Sequence, residues 1–296
     1  MEFLAALAAS GVGLETIVSA LSAVGKLLSE LNNATAVCMH AYERFADILE
    51  ELQKLERSQR LPAQDKIDKY AQLLHKFVTF IKCYVDMPNW RRAMKHSKMK
   101  DELKSINEEI DSLIVLLNIN TSRMLVEWKQ QWEADCALQR RMLQAFVESS
   151  ASVLSEVRDV KTQVEAMTVL KFEFERNSER SNEMMALLKK LYNQIVRVSK
   201  VKVPTIPQWF IPDDEVAYES TPFARGSFGA VHFGRWNSGA RVVVKTLLVD
   251  DLAGNRNTQT RILGEIDIWY GLHHPNVIKM FGACHVSTPP FIVCEE

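Results

Sequence analysis

Between Gly25 and Gly226 the chain has no glycine, and between Pro88 and Pro204 it has no proline. Those two residues punctuate turns, so their absence over so long a stretch leaves little room for a β architecture and favours long helices. The punctuation then returns abruptly: Pro204, Pro207, Pro212 and Pro222 arrive close together, followed by Gly226 and Gly229. This order predicts a helical block, a stiff linker and a turn-rich β segment.

Within the helical block apolar residues recur with a period of about 3.5. Leu14, Ile17, Leu21, Val24, Leu28 and Leu31 make one stripe, broken near Asn32–Asn33 from a second of Ala41, Phe45, Ile48, Leu52 and Leu55. Pro62 suits the first turn of a third helix, with Ile67, Tyr70, Leu74, Phe77, Ile81 and Tyr84 as its stripe and Pro88–Asn89 as its end. A fourth carries Leu103, Ile106, Ile110, Leu113 and Leu117 before Asn118–Ser122. Residues 1–120 therefore read as an up-and-down four-helix bundle. The pattern continues from Met124 to Val198, so 121–202 reads as two long brace or coiled-coil-like helices, interrupted at Asn177–Asn182. Residues 203–215 form the Pro-rich linker and 216–296 a β-rich domain, making the fold class α+β and multidomain.

Composition excludes several function classes. The apolar fraction is 47% and the charged fraction 25%, ordinary for globular protein, and the net charge of -1 offers no global attraction to nucleic acid. The cysteines Cys38, Cys83, Cys136, Cys284 and Cys294 are scattered without a CxxC pair, so neither a disulfide framework nor a metal knuckle is indicated, and a reducing, cytoplasmic setting is expected. Phe3–Val12 is apolar, but Glu2 stands where a secretory signal would be basic, and the stretch is read as helix. No apolar run reaches the roughly 18 residues of a membrane span.

The chemistry concentrates near residue 230. Ala224-Arg225-Gly226-Ser227-Phe228-Gly229-Ala230-Val231 reads as strand, turn and strand, in which two glycines let backbone approach phosphate oxygens without Cβ atoms and Phe228 caps the tip. Lys245 follows within Arg241-Val242-Val243-Val244-Lys245, a β-branched run that holds its ammonium by structure, and Glu265 in a helical pattern offers a counter-charge. Alone, the glycine pair reads as an ordinary turn and Lys245 as a charge guarding an edge strand. Their ordered recurrence with His274-Pro275-Asn276 and Phe291-Ile292-Val293 sets both readings aside.

From Trp209-Phe210-Ile211-Pro212 to Glu296 the chain resembles the N-lobe of protein kinases of the tyrosine-kinase-like group, a five-stranded antiparallel sheet with one helix, αC. The resemblance implies an ATP site. Ala224, Gly226, Ser227, Phe228 and Gly229 would cover the phosphates, Lys245 would bind the α and β phosphates and pair with Glu265, and Val231 and Val243 would line the adenine pocket. Cys294 would be the gatekeeper, Glu295 the first hinge residue, and Trp269 and Met280 would fall on regulatory-spine positions. Ala224 replaces the first loop glycine and Val243 the usual alanine, which lowers the expected nucleotide affinity.

No His-Arg-Asp or Asp-Phe-Gly motif occurs within the 296 residues, so this polypeptide alone is expected to be catalytically inactive, and Mg2+ is expected only with a C-lobe. The resemblance implies serine/threonine phosphotransfer in a longer product. The alternative is a helical adaptor, or membrane-directed oligomerising module, with a nucleotide-sensing or remnant lobe.

More loosely, the first 200 residues resemble the bundle-and-brace region of mixed-lineage kinase domain-like proteins and their fungal and plant relatives, through helix order and the Trp90-Arg91-Arg92 entry to the fourth helix. That resemblance implies protein partners, self-association and acidic phospholipid, with peripheral membrane association. The lipid site would comprise Arg91, Arg92, Lys95, Lys98 and Lys100, with Trp90 as interfacial anchor. The alternative is a solvated helix start, since Asp101 and Glu102 follow at once.

Overall fold

The computed structural model describes residues 7–30, 36–85, 87–119, 122–176, 182–199, 201–202, 205–236, 239–248 and 256–296. It divides into two compact units, Met1–Glu156 and Val157–Glu296.

The first unit is helical: α1 (Leu14–Glu30), α2 (Ala36–Arg57), α3 (Gln64–Val85), α4 (Asn89–Leu117), α5 (Ser122–Glu148) and α6 (Ser150–Glu156). The apolar stripes of α1–α4 meet in one core, in which Phe45 stacks on Phe77 at 5.1 Å and Tyr70 donates its hydroxyl to the Phe45 carbonyl at 2.7 Å. Trp128, Trp132 and Cys136 of α5 join the same core. Pro62 lies ahead of α3 rather than in its first turn, and α3 stops at Val85. Asn118 ends α4 in the left-handed conformation, φ 54°, its N–H reaching the carbonyls of Ile114 and Val115. Of the N-terminal apolar stretch, Leu7 is helical and buried, Gly11 turns the chain at φ 75°, and residues 1–6 lie outside the described residues.

A buried polar network ties three of these helices. Arg44 of α2 donates to the Asn107 carbonyl at 3.0 Å, to Asn107 Oδ1 at 2.7 Å and to the Asp111 carboxylate, all on α4. Its guanidinium lies 5.1 Å from the Trp128 ring of α5, and Trp128 Nε1 donates to Asp111 at 3.0 Å. Arg44 Nε finds no hydrogen-bond partner among the described residues, so the network satisfies its buried polar atoms only in part.

Met124–Val198, expected as two helices, forms four: α5, α6, α7 (Val160–Arg176) and α8 (Asn182–Val198). The extra boundaries are side-chain caps. Ser149 Oγ accepts the Ser152 N–H at 3.2 Å, and Asp159 accepts the Thr162 N–H at 2.9 Å and its hydroxyl at 2.6 Å. The polar interruption at Asn177–Ser181, like the break at Asn32–Asn33, lies outside the described residues.

The second unit contains α7, α8 and a curled antiparallel sheet of β1 (Val216–Tyr218), β2 (Ala224–Gly226), β3 (Gly229–Trp236), β4 (Arg241–Leu247), β5 (Met280–Cys284) and β6 (Phe291–Cys294), with α9 (Arg256–Tyr270) between β4 and β5. The strand order is β1-β3-β4-β6-β5, and β2 also pairs with β3. β1 and β2 share one partner, so the six segments fill the five strand positions of a kinase N-lobe. Before β1, Phe210 forms a parallel bridge with Ala283 on β5, completed by Ile211 N–H to the Ala283 carbonyl at 2.9 Å and Ala283 N–H to the Trp209 carbonyl at 2.8 Å.

Candidate nucleotide site

β2 and β3 form a tight hairpin in which Ala224 faces Val231, Arg225 faces Ala230 and Gly226 faces Gly229, leaving Ser227 and Phe228 as the two-residue tip. Phe228 is 67% exposed, and its carbonyl accepts the Leu248 N–H at 3.3 Å, anchoring the tip to the end of β4. Gly229 is needed there: a Cβ on it would stand 1.8 Å from the Thr246 carbonyl oxygen. Around Gly226 nothing lies within 4 Å of a built Cβ, so that side of the loop is open.

β4 lies between β3 and β6, and Lys245 pairs with Val231 on one side and Ile292 on the other. It is a half-buried residue of an interior strand, not the guard of an edge. Directly opposed residues of antiparallel strands share a face. Val231, Val243, Lys245 and Cys294 therefore lie on one face, because Val243 pairs with Cys294 as well as Phe233. On that face Ile292 and Cys294 pack with Met280 and with Ile266 of α9, and Trp269 rests half-buried against the same cluster. Trp269 donates its indole N–H to the Ile278 carbonyl at 2.9 Å. Glu265, one residue before Ile266, is exposed on α9.

Burial pushes the Cys294 thiol up to about 11, while the Lys245 ammonium acts in the opposite direction and Glu295 adds to the rise. Cys294 is thus a neutral packing group beside the lysine. Glu295 donates its N–H to the Lys279 carbonyl at 3.0 Å and accepts the Lys279 N–H on its carboxylate at 2.6 Å, which ties the end of β6 to the residue before β5.

Two features of this region escaped the sequence reading. Phe223 and Phe233 stack at 4.2 Å with 23° between their planes, and Phe233 sits opposite Val243. Two phenylalanines placed almost symmetrically about the glycine hairpin were the available signal. Trp209 is buried in the cluster beneath α9 and donates its indole N–H to Asp267 on that helix; nothing local in the sequence links residues so far apart.

The residues present fit an ATP phosphate chain and base in kind: an open glycine hairpin, one lysine on a fixed strand, and Val231 and Val243 as apolar walls. No group of three or more His, Cys, Asp or Glu side chains that could hold a metal ion occurs among the described residues.

The basic run on α4 is not one patch. At 3.6 residues per turn Arg91, Lys95 and Lys98 share a stripe, which Glu102 continues, while Arg92 and Lys100 fall elsewhere. Arg92 donates to the Tyr84 carbonyl at 3.0 Å and lies 4.5 Å from the Tyr84 ring. Lys100 acts with Arg140 on buried His96, lowering the pKa of an imidazole already depressed chiefly by desolvation. Trp90 is not an interfacial anchor. It is 1% exposed, because Glu156 receives its backbone N–H at 3.2 Å and the Asn89 amide at 2.6 Å, fixing this helix start inward.

Residues 219–296 match the protein-family model described as protein tyrosine and serine/threonine kinase. The chain is similar to the probable serine/threonine-protein kinase drkD of Dictyostelium discoideum, 34% identical over 103 residues that make up 31% of this chain and 8% of that protein. It is also similar to the tyrosine-protein kinase SRK3 of Spongilla lacustris, 34% identical over 71 residues, 24% of this chain and 20% of that one. The human tyrosine-protein kinase FRK is 30% identical over 104 residues, 32% of this chain and 19% of its own length. The chain thus spans at most a fifth of the length of these relatives.

Proposed function

We propose that the second unit binds ATP between the Gly226–Gly229 hairpin and the β4 face, and that the protein works as a protein-kinase-like signalling protein. The observation that carries this is the position of Lys245: half-buried on an interior strand, directly opposite Val231, two residues from where Gly229 closes onto β4. An ammonium so placed is oriented by its strand before any ligand arrives, which reduces the ordering cost of meeting phosphate. The backbone N–H groups of the Ser227–Phe228 tip supply further donors, and Val231 and Val243 exclude water from the base. In our reading Glu265 is the counter-charge that keeps the Lys245 ammonium aimed. Serine/threonine phosphotransfer is the reaction we assign to a product that also carries a catalytic loop. ATP, when bound, supplies the transferable phosphoryl group.

Titration of the 296-residue chain with a fluorescent ATP analogue, competed by unlabelled ATP, tests this reading. Saturable binding that is lost in Lys245→Met supports it. Absence of saturable binding by the unaltered chain, with the lobe folded, rejects it.

A further inference from the structure

We propose that the first unit carries a binding site for a free apolar α-amino acid, in a cleft where the start of α4 meets the second half of α5 and α6. The site is independent of the nucleotide reading and draws only on residues of Met1–Glu156. The cleft has a volume of about 520 Å³, within the roughly 300–1,000 Å³ that small-molecule sites occupy.

One wall is apolar. Gln139, Met142, Leu143 and Phe146 recur at helical spacing along α5, so they share a face, and that face lines the cleft. Leu143 is buried, but Met142 is 37% exposed and Phe146 half-buried, which leaves apolar surface for a ligand to cover. The polar lining includes one cation, Arg92, and one anion, Glu156. Arg92 is held before any ligand arrives: it donates to the Tyr84 carbonyl at 3.0 Å, and its guanidinium lies 4.5 Å from the Tyr84 ring. Glu156 accepts the Asn89 amide on one oxygen and the Trp90 N–H on the other, which takes up about half of a carboxylate's roughly four acceptor positions. Among the described residues no cation pairs with it.

Asn89 sets the spacing between the two charges. Its carbonyl oxygen accepts from Arg92 at 3.4 Å and its amide donates to Glu156 at 2.6 Å, so a single amide group stands between them. An α-amino acid carries both its charges on one carbon and spans a gap of that kind, its carboxylate on the Arg92 guanidinium and its ammonium on the Glu156 carboxylate. The hydroxyls of α6 favour the same orientation. Ser152 and Glu156 lie four residues apart on one face of that helix, and Ser155 lines the cleft beside them. Ser155 gives its hydrogen to the Ser152 carbonyl at 2.7 Å and Ser152 gives its own to Ser149 Oγ at 2.8 Å, so both oxygens are left with lone pairs, as an ammonium needs. A cation alone would be opposed by Arg92 and an anion alone by Glu156, whereas a zwitterion answers both. The apolar face of α5 then selects a side chain such as that of leucine or phenylalanine.

Calorimetric titration of the 296-residue chain with L-leucine and with L-phenylalanine tests the site, beside two leucine analogues that each lack one charge. Leucinamide has no carboxylate and N-acetyl-leucine no ammonium; each should bind at least about ten-fold more weakly than leucine. Arg92→Gln should lower leucine affinity about ten-fold while leaving leucinamide within about two-fold, and Glu156→Gln should do the same with N-acetyl-leucine as the unaffected probe. Each comparison is made within one variant, so a loss shared equally by all three ligands marks general damage and overturns the assignment of the charges. The analogue series on the unaltered chain decides the matter even where a variant fails to fold. No saturable binding of either amino acid up to about 10 mM, with the helical unit folded, overturns the site. Equal affinity for leucine and both analogues would leave an apolar cleft without charge recognition and overturn the zwitterion reading. Binding of phosphocholine micelles without binding of leucine would assign the cleft to a lipid headgroup and overturn it as well.

Discussion

Gly229 and Thr246 approach so closely that the space for a single methyl group on Gly229 is already taken by the Thr246 carbonyl oxygen, 1.8 Å from the built Cβ position. The obstacle is backbone and not a flexible side-chain end, so one strand must move to admit it. Gly229→Ala should destabilise the lobe by about 1–3 kcal/mol and weaken nucleotide binding. Gly226→Ala meets nothing within 4 Å and should leave the melting temperature unchanged. Paired thermal melts distinguish the two glycines, and equal effects would show that the hairpin does not close as described.

Lys245→Met retains the stem's bulk on β4 while deleting its charge, and should lower ATP affinity more than about ten-fold with an unchanged melt. Glu265→Gln should have a smaller effect. If the two side chains work as a unit, the double variant binds little worse than Lys245→Met alone, whereas additive losses in the titration would separate them.

In the helical unit, Asp111 receives both Arg44 and the Trp128 indole. Asp111→Ala leaves the Arg44 guanidinium buried without its carboxylate and should cost roughly 3 kcal/mol. Arg44→Leu, which removes the buried charge and replaces it by apolar volume, should cost less. Urea unfolding followed by circular dichroism measures both, and a larger loss for Arg44→Leu would contradict the network.

Burial lowers the pKa of the His285 imidazole to about 4. An unfolded histidine titrates near 6.5, so between about pH 6.5 and 4 the unfolded chain holds the extra proton and stability falls as the pH is lowered. Above that window the contribution is constant. His285→Phe should flatten this part of the stability profile of the second unit, as read from melts at pH 7, 6, 5 and 4.5. A profile of unchanged slope would place the acid sensitivity elsewhere.

The helix stripes of α1–α4 and the glycine hairpin were legible because each is a local pattern: a period along one helix, or two glycines either side of a two-residue tip. Ser149 and Asp159 were legible in principle as caps, but the apolar period runs straight through them and masked two helix ends. Trp90 misled because an aromatic residue beside two arginines looks amphipathic in one dimension, and Glu156, which turns that helix start inward, lies far along the chain. The contact of Trp209 with Asp267 depends wholly on the strand order, since only the docking of residues 209–211 on β5 brings it beneath α9.

That docking has a second consequence. β5 stands at the end of the strand order β1-β3-β4-β6-β5, and its outward N–H and C=O groups at Ala283 are taken by Trp209 and Ile211. With those groups occupied, a second molecule cannot add its own strand there. A lobe produced from residue 216 onward would lack this cover, and its sheet would be open to intermolecular extension, so the useful starting point for isolating the lobe in soluble, monomeric form lies ahead of Trp209.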